Sequence, residues 1–112
     1  MKPVHLNRLL TLEQSVVAPD GAGGFSTLWE AIGTHWAEIA PGTGRDVSGE
    51  ETTLATVPYR ITLRGAPVGS PRRPLAGQRL THGARVFQVL AVTERDAVGQ
   101  YLTCFAREEA AT

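Results

Sequence analysis

The sequence has a single cysteine, Cys104, in 112 residues, which excludes an internal disulfide framework and any zinc site built on cysteines. Aromatic residues make up only 6%, and acidic side chains are missing altogether from residues 52–93. No apolar run approaches the ~18 residues of a membrane span, and no apolar stretch of a signal peptide follows Met1. These absences lead us to expect a soluble, intracellular protein with no membrane partner. What is present is 42% hydrophobic residues, enough for one modest core and one domain over residues 1–112. Twelve glycines and seven prolines are many for a helical bundle and ordinary for an all-β domain with frequent turns.

Eleven basic and eleven acidic residues give zero net charge, but they are segregated along the chain. Residues 1–51 hold seven acids against three bases, whereas residues 52–93 hold six arginines: Arg60, Arg64, Arg72, Arg73, Arg79 and Arg85. Two arrangements are compatible with this. Either the surface is bipolar and suited to a complementary partner or a phosphate backbone, or the charges interleave once distant strands pair.

Apolar periodicity reads as strands. Val4–Glu13 places Leu6, Leu10 and Leu12 on one face, and Ala18–Gly24 is a turn by composition. Thr27–Ile39 fits helical spacing through Leu28, Ile32, Trp36 and Ile39, but Gly33 and the flanking glycines favour a bulged strand. Ala40–Gly49 is a loop, with room for one helical turn at Glu50–Ala55. Val57, Tyr59, Ile61 and Leu63 alternate cleanly with polar neighbours, the strongest strand signal in the chain. Gly65–Gly77 is too rich in breakers to pair and forms a second long loop. Arg79–His82, Arg85–Thr93 and Gln100–Arg107 read as three more strands. The expectation is an all-β fold: a small β-barrel or sandwich of about six short strands, two long loops and little helix.

Signals for catalysis are weak, and the expectation is no enzyme, no metal and no cofactor. His5, His35 and His82 lack metal-ligand spacing and read as solvated or locally hydrogen-bonded. Cys104 sits in an apolar strand as a small buried thiol. Glu50-Glu51 and Glu108-Glu109 are sequence neighbours, which on a strand face opposite ways and cannot converge on one reacting centre. Nucleic-acid binding has more support from the acid-free arginine stretch. That stretch interleaves only Tyr59 and Phe87, both at core-like positions, and sequence-tolerant binders need exposed aromatics.

A wider pattern is carried by Leu6-Asn7-Arg8, Trp29, Trp36-Ala37-Glu38-Ile39-Ala40-Pro41 and Gly44-Arg45-Asp46. It continues through Tyr59–Arg64, Gln78-Arg79-Leu80, Gly83–Val89 and Tyr101–Cys104. This ordered set spans nearly the whole chain and resembles the head–tail joining proteins of long-tailed bacteriophages, also called head-closure or stopper proteins. Val68–Pro74 and Cys104–Glu109 further resemble the variant found in gene transfer agents. The resemblance implies a small β-barrel that forms a homo-oligomeric ring of six or twelve copies. The ring would lie below the portal and its adaptor protein, retain packaged double-stranded DNA and offer a surface to the tail terminator protein. Localisation would be the bacterial cytoplasm during assembly, then the head–tail junction of the particle. The family often has Glu where Asp46 stands, followed by a longer helix that Ser48-Gly49 shortens or removes here.

Under this reading Arg72 and Arg73, in the loop Gly65–Gly77, are expected at the channel lumen or an acidic partner face. The loop Ala40–Thr56, with Arg45 against Asp46, Glu50 and Glu51, is expected to contact a neighbouring ring. Trp29 and Trp36 read as core residues, with an interface anchor as the alternative. The competing functions are a free nucleic-acid-binding barrel, and an adaptor or tail terminator of the same particle; the strand count opposes a helical adaptor.

Overall fold

A computed structural model describes residues 3–42 and 57–109. Among these residues there are six antiparallel strands: β1 (Arg8–Pro19), β2 (Phe25–Pro41), β3 (Val57–Arg64), β4 (Arg79–His82), β5 (Arg85–Glu94) and β6 (Tyr101–Glu108). Each pairs with two neighbours in the order β1-β2-β3-β6-β5-β4, and β4 returns to β1 through Thr11–Glu13 against Arg79–Thr81. The sheet therefore closes on itself. It is a barrel rather than a sandwich, which removes most free strand edges.

Alternation fills the interior. Leu10 and Leu12 of β1, Ala37 of β2, Ile61 and Leu63 of β3, Leu80 of β4, Phe87 and Val89 of β5, and Leu102, Cys104 and Ala106 of β6 form the buried core. Tyr59 meets Phe87 edge-on with ring centroids 5.3 Å apart, the geometry favoured by the ring quadrupoles. Burial pushes the Cys104 thiol up to about 12, because a thiolate there would lose its water. The face assignment for Val57–Leu63 holds for Tyr59, Ile61 and Leu63.

Four expectations are corrected. The first strand starts at Arg8 rather than Val4, and Pro3–Asn7 instead runs across the outside of β2, where the His5 amide donates to Glu38 Oε2 at 2.9 Å. The strands are not all short: β1 has 12 residues and β2 has 17. His35 is not solvated but 5% exposed, because it falls opposite Leu10 on the inward face of β2. Trp29 and Trp36 are not core residues, since both point outward, Trp36 being 56% exposed. Two-fold alternation next to buried His35 and Ala37 forces Trp36 to the outer face, and a barrel interior already filled by leucines has no room for an indole.

Glycine decides one close approach. A Cβ on Gly65 would lie 2.0 Å from the Gly99 carbonyl oxygen, so only glycine lets the end of β3 dock on the β5–β6 turn, where the Gly65 amide donates to Gln100 O at 2.8 Å.

Candidate functional site

The long strands create the main surface feature. β4 pairs with β1 only as far as Glu13, and β3 pairs with β2 only from Ala37 to Pro41. Beyond a bulge at Leu12/Glu13, residues Gln14–Pro19 and Phe25–Glu30 pair, among the described residues, only with each other. Six residue steps of antiparallel strand project this ribbon about 20 Å from the barrel, in keeping with principal extents of 54 × 33 × 25 Å. Its tip is locally built. Asp20 Oδ1 accepts from the amides of Ala22 (2.8 Å) and Gly24 (3.0 Å), while Gly21 and Gly23 take positive φ that other residues resist. Those amide hydrogen bonds hold the Asp20 carboxyl below the usual carboxylate range.

The arm is apolar on both sides. Val16 faces Leu28 on the side continuous with the barrel interior, with Gln14 opposite Glu30 beside them. The outer side carries Val17, Trp29 and Phe25, the last 72% exposed. The Arg79 guanidinium lies 4.2 Å from the Trp29 ring centroid and bonds Glu13 Oε1 at 2.5 Å, fixing the base of the arm to β4. Further down the outer wall, exposed Leu9 and Trp36 sit directly opposite each other. Leu6, Trp36 and Arg64 line a shallow groove of about 360 Å³ there.

The arginines of the acid-free stretch part company. Arg79 pairs with Glu13, and Arg85 is held by both oxygens of Glu108, at 2.7 and 3.1 Å, while lying over Tyr59 and Phe87. The Arg85 hydrogen bond keeps the Glu108 carboxyl below its ordinary value. For these two the interleaved arrangement is the one realised. Arg64 and Arg72 are exposed.

Arg72 and Arg73 are sequence neighbours in different settings. Arg72 is exposed, and its Nη2 donates to Thr34 O at 3.3 Å. Arg73 is half-buried and donates from Nη1 to Ala66 O at 3.1 Å, closing the loop on itself. The loop is packed rather than free, with Pro74 fully buried. His35 lies beneath it, its Nε2 without a hydrogen-bond partner. Burial first, and the nearby Arg72 charge second, push the His35 imidazole below its ordinary value, against a hydrogen bond with the Arg72 backbone. Arg45, Asp46, Glu50 and Glu51 lie outside the described residues.

On the outer face of β3 and β6, Thr62 and Thr103 stand opposite each other and are buried. Arg95 Nη1 reaches Thr62 Oγ1 at 3.2 Å. They floor a cleft walled by His5, Glu38, Arg60 and Phe105. Alternation sets Thr62 on the face opposite Ile61 and Leu63; the N-terminal crossing and Arg95 from a distant turn, which carry no periodic signal, are what cover it. Among the described residues no group of three or more His, Cys, Asp or Glu could hold a metal ion, and no helix is long and apolar enough to cross a membrane. The exposed apolar arm was the feature that reading the sequence missed. Its signal was there in Val16-Val17, Phe25 and Leu28-Trp29, hydrophobic pairs that break a two-residue alternation.

Residues 1–109 match the phage head completion protein family. The chain belongs to that family. Among solved structures, it is 51% identical to a chain from the virion of a native gene transfer agent particle, with full coverage of both chains and a TM-score of 0.76. It also shares its fold with protein SF1141 from Shigella flexneri 2a, at 23% identity, full coverage of both and a TM-score of 0.71. No functionally curated protein matches the chain. For a member of the head completion family, the features that need explaining are surfaces: a projecting apolar arm, an apolar groove and a packed loop presenting Arg72.

Proposed function

We propose that this protein is a structural, non-enzymatic component that closes the DNA-filled head of a phage or gene transfer agent. In this reading copies form a homo-oligomeric ring below the portal-bound adaptor, retain packaged double-stranded DNA, and present the surface on which the tail terminator docks. The observation that carries the reading is the end-to-end match, at 51% identity, to a chain of a gene transfer agent virion. Membership of the head completion family over residues 1–109 supports it, as does the physics of the chain. A subunit of this size buries a modest fraction of its surface alone and gains from ring contacts. The exposed apolar arm requires cover in an assembled state.

Arg72 is the residue we assign to the channel or to an acidic partner face, because it is exposed at the end of a packed loop. A free nucleic-acid binder is disfavoured by the pairing of Arg79 and Arg85 with acids from β1 and β6, which withdraws two charges from phosphate contact. The test is deletion of the gene followed by electron microscopy. The expected result is DNA-filled or leaking heads beside unattached tails; normally tailed, DNA-retaining particles would overturn the reading.

A further inference from the structure

The arm and the groove belong together but cannot meet within one chain. Glu30 on the arm and Trp36 at the groove are six residues apart on the same extended strand, about 20 Å. A bulge at Leu12/Glu13 separates them, and they lie on opposite faces of the sheet. An isolated two-stranded ribbon is marginally stable in water, and its unpaired edges invite pairing with other chains. The arm is therefore built to be covered by another molecule. Its inner side offers Val16 and Leu28, with exposed Glu30 beside them. The groove on the outer wall offers Leu6 and Trp36, with exposed Arg64 in its lining and exposed Leu9 directly opposite Trp36. Among the described residues, neither Glu30 nor Arg64 has an ion-pair partner. Apolar side meets apolar groove, and a lone acid meets a lone base.

Resting on the ring reading above, we propose that the occupant of the groove is a second copy of this chain. The inner side of one arm, Val16, Leu28 and Glu30, lies over Leu6, Leu9, Trp36 and Arg64 of the next copy. Because each copy carries both surfaces at different places, the contact is head to tail and closes into a ring when the rotation between copies divides a full turn. The outer side of the arm, where Arg79 already covers Trp29, stays free for a different partner.

The test uses particles assembled with the doubly substituted chain Glu30→Cys/Arg64→Cys and treated with a short bismaleimide. Both positions are exposed, and native Cys104 is buried; an unchanged melting temperature of the purified variant confirms that it folds. The expected result is a ladder of covalent multimers of this chain, absent from particles carrying either single substitution. Formaldehyde on the same particles separates this contact from the ring itself. Multimers with formaldehyde but no maleimide ladder would overturn the arm-to-groove contact and leave the ring. Monomers with both reagents would overturn the ring as well. A maleimide product joining this chain to another virion protein would overturn the choice of occupant.

Discussion

Replacing Ile61 with Asp tests the register on which the barrel is built. Ile61 is fully buried, facing the interior between Ile39 of β2 and Cys104 of β6. Removing its side chain from the core forfeits about 2–3 kcal/mol of transfer energy. An acid placed there is buried in the apolar core, so its neutral form is favoured; raising a carboxyl by roughly three pH units costs about 4 kcal/mol more at neutral pH. The total, about 6 kcal/mol, is comparable with the whole stability of a typical domain. At roughly 5 °C per kcal/mol for a chain of this length, the melting temperature should fall by roughly 30 °C or the protein should not fold. Arg64→Ala, on the outer face of the same strand, should stay within about 0.5 kcal/mol of wild type. The sign of the pH dependence adds a second check. The folded state of Ile61→Asp binds its proton more tightly than the unfolded chain, so the deficit should shrink as pH falls toward 4. The assay is a thermal melt by circular dichroism at pH 7 and pH 4.5. If Ile61→Asp melts within 5 °C of wild type while Arg64→Ala drops further, the register of β3 is displaced by one residue and the argument fails.

The depressed His35 value means that the unfolded chain takes up a proton first; stability held above pH 6.5 should therefore be lost as pH falls below it, at no more than about 1.4 kcal/mol per pH unit. His35→Leu should flatten melting temperature against pH between 7.5 and 5. The lowered Glu108 carboxyl contributes stability that is present above pH 4.5 and lost as pH falls below it, so Glu108→Gln should weaken acid denaturation measured by tryptophan fluorescence. Arg73→Glu should lower the melting temperature by several degrees, because it removes a half-buried donor to Ala66 O, whereas Arg72→Glu should leave it within about 0.5 kcal/mol of wild type. Equal melting curves for the two would refute their different settings. Cys104 should resist a thiol reagent in the native protein and react fully in denaturant, given its burial and raised value; rapid labelling of the native chain would contradict the core assignment.

The sequence by itself determined the class and most of the strands. Alternation in Val57–Leu63, the breaker-rich Gly65–Gly77 and the short runs at 79–82, 85–93 and 100–107 give the strand pattern, because a half-buried strand repeats every two residues. The same alternation grouped Leu10 with Leu12 and Ile61 with Leu63, all of which reach the core, but it also put Leu6 with the first pair, and Leu6 lies outside beside Trp36. Separately from that periodicity, the ordered runs from Leu6-Asn7-Arg8 to Tyr101–Cys104 carry the resemblance to head–tail joining proteins. Tertiary structure alone decided which strands are neighbours, and hence that Arg79 meets Glu13 and Arg85 meets Glu108 across 66 and 23 residues of chain. It likewise decided that Trp29 and Trp36 face outward, since a residue's side of a barrel depends on register, bulges and closure rather than on hydrophobicity. How far β1 and β2 run past their partners, and so the existence of the arm, follows from where β3 and β4 stop pairing. The pairs Val16-Val17 and Leu28-Trp29 mark the arm's two apolar sides, but no local pattern records its length, because pairing length belongs to the strands on either side of it.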